Sequence, residues 1–106
     1  MTIKLKKTVI RKMRELADYV ERRHRSKPKS GYDQTLVTHD CGAPACMRGH
    51  GDVLFGDKGM DQLRRAVKRL DCFTDIFGAH GCDDAQRNWR KAAKFVRDWC
   101  DEREAV

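Results

Sequence analysis

The chain has 106 residues, of which 37% are charged, and carries a net charge of +7. That length fits a single domain with one modest core built from narrow apolar stripes. No run approaches the ~20 apolar residues of a membrane-spanning helix, and the basic residues 1–7 have no apolar stretch behind them, so neither a membrane span nor a secretion signal is expected and the expected location is cytoplasmic.

The charge is not spread evenly. Residues 1–30 hold eleven Lys and Arg against Glu15, Asp18 and Glu21, a balance of +8, whereas residues 31–106 hold twelve against thirteen acids, a balance of −1. All the excess belongs to the first element, which points to an anionic partner for it. The five cysteines are an odd number, and in a reducing cytosol they are expected to be free thiols, mostly buried as small apolar side chains.

Over residues 6–25 apolar side chains fall at Val9, Ile10, Met13, Leu16, Ala17 and Val20. Steps of three and four make one stripe of a helix, capped by Thr8 where the first residues stay loose, or extended upstream by contacts of Ile3 and Leu5. Lys7, Arg11, Arg14, Glu15, Asp18, Arg22 and Arg25 lie opposite. That face reads either as a solvated charged surface or as a phosphate-contacting one, with Lys7, Arg11, Arg14, Arg22 and Arg25 as the candidate contacts to DNA or RNA. No aromatic residue interleaves the basic ones, so base stacking is not indicated.

Pro28 and Gly31 end that helix. An irregular segment over 31–38 follows, anchored by Tyr32 and Leu36. A second helix is expected over 44–55, with Pro44 in its first turn and Cys46, Gly49, His50 and Val53 on one face. Ala43 is then a poor N-cap, lacking a side-chain acceptor. Gly49 and Gly51 inside a helix each cost about 1 kcal/mol against Ala, so another element is expected to cross closely there. The Gly56–Gly59 stretch stops this helix.

A third helix is expected over 61–70, with Leu63, Ala66, Val67 and Leu70 inward, and a short helical turn over 72–78. Asp83 or Asp84 is the expected cap of the last helix, which runs to about Arg103. Its stripe is Ala85, Trp89, Ala92, Ala93, Val96, Trp99 and Cys100, with Phe95 on the flank. The fold expected is all-α: a small single-domain bundle of about four helices with one irregular segment before the second.

The densest chemistry lies in residues 39–50. His39, Cys41, Cys46 and His50 supply four groups able to bind zinc tetrahedrally. Four residues separate the cysteines, however, where common zinc sites have two. Cys72, His80 and Cys82 form a second, looser set. A thiol near a helix N-terminus gains thiolate character, so Cys41 beside His39 or His50 fits the outline of a nucleophile, without an acid or amide to complete it. A packing reading accounts for the same residues: Cys46 and His50 stand one turn apart and face the core, and His50 hydrogen-bonds a carbonyl. On that reading no cofactor is required, with zinc the alternative.

The run Tyr32-Asp33-Gln34, followed by His39-Asp40-Cys41-Gly42-Ala43-Pro44-Ala45-Cys46-Met47-Arg48-Gly49-His50, resembles the signature of a group of small uncharacterised phage and bacterial proteins. That signature reads Phe-Asp-Met, a short gap, then Cys-Gly-Thr-x-x-Cys-x-x-Gly-His or Trp. The chain departs from it at Ala43, where the group has Thr, and at Gln34, where it has Met. The resemblance implies a phage or prophage origin and a compact helical fold. The group's use of Trp in place of His at the position of His50 speaks against an obligatory metal ligand there.

Three functions follow as expectations. One is a non-enzymatic binding protein that modulates a host protein or complex. The second is nucleic-acid binding through the first helix, and the third a thiol- or zinc-dependent enzyme built on Cys41, Cys46 and His50.

Overall fold

The computed structural model describes residues 2–26, 31, 46–70 and 88–104, with side chains from residue 7 onward apart from that of Leu70. Among these residues the chain is all helical. α1 runs Thr2–Arg25, α2 runs Met47–Leu70 and α3 runs Trp89–Glu104. Of the expected irregular segment only Gly31 is described; the rest of it, the turn over 72–78 and residues 83–87 lie outside the described residues.

α1 is the axis of the molecule. Val9, Ile10, Met13, Leu16, Ala17 and Val20 form the expected stripe and are all buried. The helix begins at Thr2, so Thr8 lies within it rather than capping it. α2 packs on one flank of α1 and α3 on the other, while α2 and α3 meet each other at most marginally. Met47, Met60, Leu63, Ala66 and Val67 enter the core from α2, and Ala92, Ala93, Val96, Trp99 and Cys100 from α3. Full burial of each larger apolar side chain contributes roughly 1.5–3 kcal/mol. For an all-α chain with this charge content, that single shared core carries the stability.

The element count differs from expectation by one. The helices expected over 44–55 and 61–70 are a single element whose course breaks at Gly56, at φ 78° and ψ 166°. This is a backbone region open essentially to glycine alone. One residue makes the break, and the chain on either side stays helical. Beyond it the chain returns so that a Cβ on Gly51 would clash with Sδ of Met60. The close neighbour at Gly51 is thus the flexible Met60 side chain of α2's own second half rather than the expected backbone of another element.

The buried face of α2's first half centres on Met47, His50 and Gly51, with Leu54 partly buried against the core. Val53, expected to face inward, lies roughly a third of a turn from that centre at 100° per residue and is 58% exposed.

α3 starts later than expected. The side-chain oxygen of Asn88 accepts from the backbone N–H groups of Arg90 at 3.1 Å and Lys91 at 3.3 Å. Asn88 is thus the N-cap, a residue well suited to the position; Asp83 and Asp84 lie outside the described residues. Two arginines fasten α3 to α1. Arg14 donates to both carboxylate oxygens of Glu104 at 3.2 and 2.8 Å and to Asp101 at 2.8 Å. From the other side, Arg97 donates to Asp18 at 2.8 Å and to Glu21 at 3.4 Å. Partly exposed pairs of this kind contribute roughly 0.2–1 kcal/mol each, and the two-pronged Arg14 contact also fixes the register of the helices.

Candidate functional site

The C-terminus of α1 and the N-termini of α2 and α3 meet at one pole of the bundle, and the Cys/His chemistry of α2 sits just inside it. Cys46 occupies the cap of α2. Its carbonyl accepts the His50 backbone N–H at 3.0 Å, and its sulfur accepts the Gly49 N–H at 3.5 Å. The expected start at Pro44 with Ala43 as cap is therefore replaced by a thiol cap one turn later. Pro44, Ala43, His39 and Cys41 lie outside the described residues.

The same Cys46 carbonyl accepts a second bond, from His50 Nδ1 at 2.7 Å. A carbonyl only accepts, so His50 carries its proton on Nδ1 and presents Nε2 as an acceptor in its neutral form. Facing that atom at 2.8 Å is Nε2 of His24, on the last turn of α1. One proton lies between the two rings. Both histidines are buried, with Tyr19 edge-on to His50 and Trp89 of α3 stacked beside His24 at 6.5 Å and 22°. All three helices contribute to this cluster.

Of the expected metal set, Cys46 and His50 are both present at this pole, on one turn of α2. Two nitrogens on one tetrahedral zinc, each about 2.0–2.1 Å from the ion, stand further apart than a hydrogen bond; the 2.8 Å between the rings is hydrogen-bond spacing. Among the described residues no group of three or more His, Cys, Asp or Glu gathers to hold an ion.

The two described thiols are not activated. Burial pushes the Cys46 thiol up, outweighing the N–H groups of Gly49 and Arg48 that favour the thiolate. Burial likewise raises Cys100, to about 11, and its sulfur donates to the Ile10 carbonyl at 3.7 Å. At neutral pH both remain protonated.

The basic face of α1 is only partly free. Lys7, Arg11 and Arg22 are exposed and make no ion pair among the described residues. Arg14 is engaged by Asp101 and Glu104, and Arg25 lies 3.5 Å from Glu21 within its own helix. Of the five expected contacts, Arg14 belongs to the α1–α3 seam.

Sequence reasoning missed His24, whose spacing of four from Val20 places it on the apolar stripe; a histidine in the last turn of a helix also reads as a complement to the helix dipole, which hid its burial. Trp89 stood on the expected α3 stripe, but its stacking on a residue 65 positions away leaves no local trace. No protein-family model matches the chain, and neither the curated proteins nor the solved structures contain a significant match to it.

Proposed function

We propose that this is a small non-enzymatic binding protein, phage or prophage encoded, that works in the host cytoplasm by engaging a host protein or complex. The observation that supports this reading is the fate of Cys46 and His50, the two described members of the set on which catalysis would rest. Cys46 is a protonated, buried helix cap, and both ring nitrogens of His50 are spent on Cys46 and His24. These two side chains serve as packing and capping groups, and among the described residues the exposed surface is mostly charged. No helix among the described residues is long and apolar enough to cross a membrane.

A second reading, nucleic-acid binding along α1, draws support from Arg97. By pairing with Asp18 and Glu21, it offsets acids that would dilute the face carrying Lys7, Arg11 and Arg22. One experiment addresses both readings: affinity capture from bacterial lysate with and without nuclease. A stoichiometric protein partner that survives nuclease is expected from the first reading, and its absence counts against it. Retention that nuclease abolishes, and that Lys7→Glu with Arg11→Glu also abolishes, supports the second.

A further inference from the structure

The pole where the three helices meet is strongly cationic, and its charge runs against the local rules of helix design. Arg22, Arg23 and Arg25 occupy the last turn of α1, where cations complement the helix dipole. Arg48 lies in the first turn of α2, and Arg90 and Lys91 in the first turn of α3. At a helix N-terminus each such cation is unfavourable, and an acid is the favoured choice. Neither first turn contains one. Three misplaced cations on two separate helices, brought beside three more, form a patch that folding alone does not require.

The patch is built as well as charged. Arg22, Arg25, Arg90 and Lys91 are exposed. The Arg90 guanidinium lies over the Trp89 ring at 5.4 Å, and His24 stacks beside the same ring. This seat holds a planar, five-donor group ready for a phosphate at reduced entropic cost. With both neighbours on its ring, Trp89 positions Arg90 rather than serving as a platform for a base. Among the described residues, Nε of Arg23 is buried with no hydrogen-bond partner. Among the described residues the acids nearby are Glu21, engaged by Arg97 and Arg25, and Asp52, whose carboxyl burial pushes up and whose charge Arg48 favours.

We propose that this pole, through Arg22, Arg23, Arg25, Arg48, Arg90 and Lys91, docks the phosphate backbone of a nucleic acid. The proposal shares the anionic partner of the second reading but moves the contacts from Lys7 and Arg11 to the pole, so the two differ in which substitutions abolish binding. Five of the six cations are arginines, the side chain suited to two-pronged grip on phosphate, and their spread over three helices suits a repeating polyanion better than one isolated charge. The reading is sequence-independent, since backbone contacts carry affinity without base discrimination.

The test uses the full chain and fluorescein-labelled DNA and RNA 20-mers, single- and double-stranded, followed by anisotropy against salt. Wild type is expected to bind with an affinity that falls steeply as salt rises. Arg90→Glu with Lys91→Glu is expected to weaken binding at least tenfold while leaving the melting temperature unchanged or higher, because acids suit the start of α3. Lys7→Glu with Arg11→Glu, at the other end of α1, is expected to change it less than threefold. Equal loss from both pairs, or loss from Lys7 and Arg11 alone, overturns the pole as the site. Absence of binding to every 20-mer at 50 mM salt overturns the nucleic-acid proposal; a nuclease-resistant protein partner in the lysate experiment then leaves the binding-protein reading standing.

Discussion

His24 and His50, 26 residues apart in sequence, face each other through Nε2 atoms 2.8 Å apart inside the protein. Because the Cys46 carbonyl claims the Nδ1 proton of His50, the neutral pair has one arrangement: His24 donates and His50 accepts. Long-range proton–nitrogen NMR is expected to show the Nδ1–H tautomer for His50 and the Nε2–H tautomer for His24.

His24→Gln, which keeps a donor for His50 Nε2, is expected to cost less stability than His24→Ala, as read by urea unfolding at pH 7.5; equal losses refute the assignment. His24→Ala at pH 7.5 is expected to cost about 1–3 kcal/mol for the orphaned His50 acceptor, before any loss of packing.

Gly56 is expected to be the least replaceable glycine among those described. Its φ of 78° and ψ of 166° cost a side-chain-bearing residue about 1–3 kcal/mol, so Gly56→Ala should lower the urea midpoint correspondingly even though nothing lies within 4 Å of its would-be Cβ. A neutral effect would mean that the break in α2 lies elsewhere.

Gly51 fails for a different reason, and a double-mutant cycle separates the two. Gly51→Ala places a methyl group against Met60 Sδ and is expected to destabilise. With Met60→Ala, itself costing about 2–5 kcal/mol, the same substitution should become neutral or favourable by up to about 1 kcal/mol through helix propensity. A coupling of roughly 0.5–3 kcal/mol is expected; strict additivity would show that the two residues do not touch.

Cys46 and Cys100 should resist iodoacetamide in the folded protein at neutral pH and react once urea unfolds it, as read by peptide mass mapping. Cys100 adds an alkaline limit. Its folded value of about 11 stands above the ordinary 9.0, so its contribution is complete below about pH 9 and lost as pH rises through 11. Cys100→Ala is expected to lower stability at pH 8 and to reduce the slope between pH 9 and 11; rapid alkylation of native Cys100 would contradict its placement.

The helices themselves were legible in the residues. Steps of three and four from Val9 to Val20 and from Trp89 to Cys100 marked the faces that pack, since burial of one stripe is what makes such a helix stable. The packing roles of Cys46 and His50 followed from their separation of one turn, including a carbonyl partner for His50, though not which carbonyl. What did not follow was pairing over long separations. That His24 meets His50, and that Arg14 spans to Asp101 and Glu104, depends on the antiparallel register of α1 with its neighbours, which no local pattern encodes. The break at Gly56 was readable as a stop but not as a single-residue turn, because Asp57 to Gly59 resemble a loop in composition and are helical. Val53 was misplaced because periodicity counted from Cys46 was centred off the true face.

The placement of α1 bears on when the chain folds. Its apolar stripe is complete once the first two dozen residues exist, yet one of its two covers is α3, which ends at Glu104. A ribosome extends the chain from the N-terminus at about 5–20 residues per second, so α1 emerges seconds before that cover does. For that interval the nascent helix carries Met13, Leu16 and Val20 uncovered beside its cationic side chains. Until α3 leaves the exit tunnel the protein has the character of an amphipathic basic peptide, open to chaperones, and cooperative folding waits for α3.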